Sequence, residues 1–103
     1  MISWIYIFLA GICEIGWPIG LKLAIYNRWW AVFAVLTMTA SGFLLFLAQK
    51  TIPMGTAYAV WTGIGAVGAF VVGILWFKDP ATAMRIISVS FIVMGIVGLK
   101  LAT

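Results

Sequence analysis

Histidine is absent from this chain, cysteine occurs once, and only two of its 103 residues, Glu14 and Asp79, are acidic. Those shortages leave no metal-ligand set and no base to activate a nucleophile, and no glycine-rich phosphate loop makes up for them. No enzymatic activity, metal or cofactor is therefore expected. Charge of either sign is scarce: 8% of the residues carry it, against about 25% in soluble domains, which excludes a soluble fold. Cys13, unpaired and flanked by apolar residues, is a small packing residue and says nothing about redox compartment.

The chain is instead rich in apolar residues, 66% of the total. They fall into four runs, at about residues 4–21, 30–48, 56–77 and 84–101. Each approaches the roughly 20 residues that cross a hydrocarbon core of about 30 Å. An all-α membrane protein is expected, with a single four-helix transmembrane domain over residues 1–103. The first run has no basic segment before it, since the first lysine is Lys22, so it reads as a retained helix rather than a signal peptide. The net charge of +4 does not point to nucleic acid here, because the basic residues punctuate the runs and act as topology signals. Lys22, Arg28, Lys78 and Arg85 mark one face of the membrane, Lys50 and Lys100 the other. That bias is modest and compatible with insertion in both orientations.

Glu14 lies near the centre of the first run. A charge at that depth costs about 2.5–3.5 kcal/mol on insertion scales and generally marks an ion or proton pathway. Lys22, two turns away, is too distant to neutralise it. Pro18 falls four residues after Glu14, so the Glu14 carbonyl loses its helical donor and becomes a second acceptor at that position, where a bend is expected. Four helices are too few to surround a hydrated pathway, so an oligomer is expected. A dimer brings two copies of Glu14 toward one cavity, where desolvation and like-charge repulsion oppose double ionisation. Such a pair holds protons or a cation in competition, the minimum requirement for proton-coupled antiport.

Other residues gather around that acid by helical spacing. Trp17 follows it by three positions. In the third run Tyr58, Trp61, Gly65 and Gly68 recur at three- and four-residue steps, placing a hydroxyl, an indole and a glycine-lined stretch on one face. Tyr58 can donate to the carboxylate, and Trp61 can stack on a flat or soft cation. Gly63, Gly65 and Gly68 read equally as a packing seam or a hinge. Ser41, one of few hydroxyls at depth in the second run, either lines the site or bonds back to its own helix. Ser88 and Gly95, seven apart in the fourth run, suit a helix–helix dimer contact.

With these residues in place, the whole chain resembles the small multidrug resistance family. The likeness rests on four spans, one acid at Glu14, and the segment Pro53-Met-Gly-Thr-Ala-Tyr-Ala-Val-Trp-Thr-Gly-Ile-Gly65. Trp17, Ser41 and the closing Gly98-Leu-Lys100 make it most similar to the guanidinium-exporter subtype. The resemblance implies an antiparallel homodimer of dual topology in the bacterial inner membrane, embedded in lipid and exporting a small organic cation against protons. It implies paired Glu14 carboxylates binding substrate or proton alternately, with Trp17, Ser41, Tyr58 and Trp61 around them. Two readings stand beside it: a broader exporter of quaternary ammonium or aromatic cations, and a non-transporting membrane subunit. One departure bears on selectivity, since the stretch Glu14-Ile-Gly16-Trp17-Pro18-Ile-Gly20 puts proline and glycine where better-known guanidinium exporters have apolar helix formers such as Ala or Val.

Overall fold

The computed structural model describes residues 1–102. It contains four helices, α1 (Ile2–Ala24), α2 (Trp30–Ala48), α3 (Met54–Trp76) and α4 (Ala83–Ala102), with no strand among the described residues. Each is long and apolar enough to cross a membrane. At 1.5 Å per residue they run to about 29–35 Å, close to the thickness of a hydrocarbon core.

Helix ends follow local chemistry. Asn27 Oδ1 accepts the Trp29 N–H at 3.1 Å in the turn before α2. Pro53 caps α3 with extended backbone, and its carbonyl takes the Ala57 N–H at 2.9 Å. Thr82 Oγ1 accepts the Arg85 N–H at 3.3 Å at the start of α4, satisfying one of the orphan donors there. At the end of α3 the Phe77 and Asp79 N–H groups both reach the Gly73 carbonyl at 3.0 Å. Lys78 adopts a left-handed φ of 58° to allow this, which satisfies a carbonyl otherwise left open. The same turn lays the Asp79 carboxylate against Gly73, where any side chain would collide with it. Asp79 also shares a polar pocket of about 170 Å³ with Pro18 and Lys22.

Packing radiates from α1, which lies against α2 and, less extensively, α3; α4 packs chiefly on α3 and meets α1 through Lys100 over Trp4. The α1–α2 seam depends on Gly16 and Gly20. A Cβ on Gly16 would sit 2.9 Å from Thr37, and one on Gly20 would sit 3.0 Å from Ala34. The sequence Gly16-Trp-Pro-Ile-Gly20 is thus a small-xxx-small approach site, a role its composition signals but which was not assigned above. Toward α3, Gly11 receives Ile64, and Ile15 lies over Gly68. The α3–α4 seam forms where Gly63 accommodates Ile96. Despite Pro18, α1 is one continuous helix.

The buried cluster, Ile7, Ala48, Ile52, Ala57 and Val60, sits at the end where α1 and α3 begin and α2 finishes. Nearby, the Ser3 and Thr51 hydroxyls bond to each other, tying the start of α1 to the second loop. Five of the six basic side chains lie over aromatic rings: Lys22 over Phe77, Arg28 over Trp29, Lys50 over Phe46, Arg85 over Phe70 and Lys100 over Trp4. Ring faces stand in for the missing acids as partners for these cations. The molecule measures 41 × 34 × 17 Å. A slab 17 Å thick is under two helix diameters of about 10–12 Å each, so one chain does not enclose a pathway.

Candidate functional site

Glu14 is carried by the middle of α1, on the helix that the others pack around. Its side chain is partly buried. Trp17, one turn further along the same helix, donates its indole Nε1–H to Glu14 Oε1 at 2.7 Å. A bond of that length to a carboxylate is charge-assisted and stronger than a neutral one. The i, i+3 spacing sets this contact within one helix, so it needs no help from tertiary packing.

Across the α1–α2 interface stands Ser41, fully buried. Its Oγ lies 2.8 Å from the Ala10 carbonyl oxygen and 3.4 Å from Glu14 Oε1. Trp61 of α3 donates its indole N–H to the same Oγ at 2.8 Å. One hydroxyl therefore links three helices. The Ser41 hydroxyl thus bonds away from its own helix. Thr37, Ser88 and Ser90 do the opposite and bond back to carbonyls three or four residues earlier.

Both hydrogen bonds to Glu14 end on Oε1. Among the described residues Oε2 has no hydrogen-bond partner, so the carboxylate is oriented on one edge and open on the other. Gly65 of α3 fixes where it stands, since a Cβ built there would lie 2.6 Å from Glu14 Cγ. The glycine lets α3 press its backbone against the acid, a contact that spacing alone does not reveal. Gly68 and Gly63 serve the α1 and α4 seams respectively.

Tyr58 is placed differently from the other pocket residues. It is 57% exposed, with its ring 5.4 Å from that of Trp61, and it makes no hydrogen bond to Glu14 among the described residues. The single chain thus brings together Glu14, Trp17, Ser41 and Trp61, and leaves Tyr58 on an outer face beside them. Ala10 was not among the residues expected here; its contribution is a backbone oxygen, which no residue type advertises. On α4, Ser88 and Gly95 are both exposed, and a Cβ on Gly95 would meet open space.

Chemically, this is a single carboxylate in apolar surroundings, held by two neutral donors and flanked by two indole rings. It can bind a proton or an organic cation.

A family model described as Small Multidrug Resistance protein matches residues 2–92. The chain is 48% identical over 106 aligned positions to the guanidinium exporter of Escherichia coli K12, with 98% of each chain covered. It is 46% identical to the guanidinium exporter of Yersinia pestis, covering 98% of this chain and 99% of that relative. The same identity is found with the guanidinium exporter of Citrobacter freundii, covering 98% of both.

Proposed function

Because the chain belongs to the small multidrug resistance family, we propose that it exports guanidinium-like cations in exchange for protons, as an antiparallel homodimer. It is a multi-pass protein of the bacterial inner membrane, with four spanning helices and bacterial relatives that are exporters. The observation that carries the substrate reading is the geometry at Glu14, whose Oε1 is held by Trp17 and Ser41 while Oε2 is left open. A guanidinium ion is planar and presents N–H donors in its own plane, so it can pair edge-on with a carboxylate. Its faces suit the indoles of Trp17 and Trp61. The Glu14 carbonyl, which Pro18 leaves without a helical donor, is a further acceptor close by.

Dimerisation completes the site. One slab is too thin to surround Glu14, and α4 buries no residue within its own chain. Pairing of two chains through α4 about Ser88 and Gly95 brings two Glu14 side chains to one chamber, and Tyr58 then adds its hydroxyl to the shared network. Two carboxylates in an apolar chamber resist holding two charges without compensation, so they take up protons or one cation, in alternation. The glycine-lined stretch of α3 from Gly63 to Gly68 provides the flexibility for the chamber to face each side in turn. Apart from the O–H bond of the exchanged proton, no covalent bond is made or broken in that cycle, and we assign it no enzymatic activity.

Reconstituted transport under a pH gradient tests the proposal. Guanidinium should move protons in the opposite direction, while a bulky tetra-alkylammonium, which offers no N–H donors, should do so at least about tenfold less efficiently. Equal transport of both cations would replace the substrate assignment with a broad quaternary-ammonium exporter. Absence of proton-coupled flux with either would leave a non-transporting membrane subunit. A second measurement bears on Ser41. Its replacement by alanine strips the Trp61 indole of its acceptor, at a cost of about 1–3 kcal/mol. The expected result is a guanidinium KM raised by about tenfold, with the dimer still recovered on purification; an unchanged KM would remove Ser41 from the binding site.

A further inference from the structure

Arg85, in the first turn of α4, has its Nε buried without a hydrogen-bond partner. Its guanidinium lies 5.2 Å over the Phe70 ring. A ring satisfies the flat face of the guanidinium and leaves its Nε–H unmet. A buried cationic donor without an acceptor is costly, and there is no ion pair among the described residues to supply one. Both acids of the chain are engaged elsewhere: Glu14 at the three-helix junction, and Asp79 folded back on Gly73.

The guanidinium heads a groove of about 290 Å³ along the α3–α4 seam. Its walls are Ala66 and Phe70 of α3 and Met84, Val89 and Ile92 of α4. Ser88 forms one rim, its hydroxyl already donated to the Met84 carbonyl. Positions 85, 89 and 92 share a helical face, and from Arg85 to Ile92 the helix advances about 10 Å. The groove therefore descends from headgroup level into the hydrocarbon, with a cation at the top and an apolar floor below. It opens outward, because α4 packs chiefly on α3, meets α1 at its far end through Lys100, and buries none of its residues. The same end of the molecule carries Lys22, Arg28 and Lys78, so its potential favours an anion.

We infer that this groove is a binding site for one anionic phospholipid, its phosphate on Arg85 and an acyl chain over Phe70 and Val89. Charge complementarity and the apolar descent together select an amphiphile with a negative head over a free anion or a neutral chain. Ser88 lines the groove, and Ile92 lies between Ser88 and Gly95 on the face proposed for dimer contact, so a second copy's α4 would cover that rim and leave Arg85, Phe70 and Val89 to the lipid. The inference concerns binding and does not depend on what is transported.

Native mass spectrometry of the purified protein, equilibrated with equal amounts of phosphatidylglycerol and phosphatidylcholine, reads it directly. The wild-type chain should retain phosphatidylglycerol over phosphatidylcholine by about fivefold or more. Arg85→Gln should bring that ratio close to parity, whereas Arg85→Lys, which keeps the charge, should preserve most of it. Ala66→Phe fills the groove without touching the cation and should reduce retention of both lipids. Parity in the wild type overturns the inference and leaves the groove to the helix of a second copy. An undiminished preference in Arg85→Gln, or undiminished retention in Ala66→Phe, overturns it as well. Should Arg85→Gln not be recovered folded, the wild-type ratio and Ala66→Phe still decide.

Discussion

Replacing Glu14 with glutamine is expected to abolish guanidinium-driven proton movement in proteoliposomes, by about 100-fold or more, while leaving the fold intact. The amide keeps an oxygen where Oε1 stands, so Trp17 and Ser41 retain their acceptor. What it loses is the charge that pairs with the cation and the ability to exchange a proton. Charge-assisted hydrogen bonds contribute about 1.5–3 kcal/mol each, and a guanidinium offers two to one carboxylate, so a hundredfold loss, about 2.7 kcal/mol, is within reach of binding alone. Loss of coupling then removes the remainder. Circular dichroism and a gel-filtration profile matching the wild type separate this outcome from misfolding. Transport by Glu14→Gln at even a tenth of the wild-type rate would sink the mechanism.

Much of this arrangement could be read from residue types because a membrane simplifies the problem. A bilayer forces backbone polar groups into helices, so four apolar runs sufficed to anticipate four helices. A carboxylate at depth is conspicuous for the same reason, and Trp17 follows from Glu14 by helical spacing alone. The legible contacts are those within one helix. Ser41 was ambiguous because a buried hydroxyl has equally good acceptors on its own helix, as Thr37 demonstrates. Only the approach of α1, permitted by Gly16 and Gly20, offers it the Ala10 carbonyl instead. Gly65 stood out as a glycine, yet what it presses against depends on how α1 and α3 are rotated, which hydropathy does not encode. The groove beneath Arg85 was illegible altogether, being defined by which faces of α3 and α4 fail to close.

Gly65→Val should be the most damaging substitution outside the acid itself. Its Cβ would stand 2.6 Å from Glu14 Cγ, well inside van der Waals contact, and the buried position offers no slack. Either α3 moves away from α1 or the carboxylate swings off Trp17 and Ser41. Overpacking of this kind costs about 1–3 kcal/mol, and here it falls on the residue proposed to bind the cation. The expected result is a loss of transport of about tenfold to a hundredfold, with protein still recovered from the membrane. Gly42→Val makes the control. A Cβ on Gly42 meets nothing within 4 Å, so that variant should transport at close to the wild-type rate. Near-normal transport by Gly65→Val would show that α3 does not press on the acid.

The junction at Ser41 has a consequence in valence. A hydroxyl owns one hydrogen, and Ser41 already accepts from Trp61, so that hydrogen has two claimants: the Ala10 oxygen at 2.8 Å and Glu14 Oε1 at 3.4 Å. It cannot serve both fully. A bare carboxylate draws it more strongly, and a carboxylate neutralised by a proton or shared with a guanidinium draws it less, returning it to α1's backbone. The occupancy of one side chain is thereby written into a bond between two helices, across a single rotatable C–O bond.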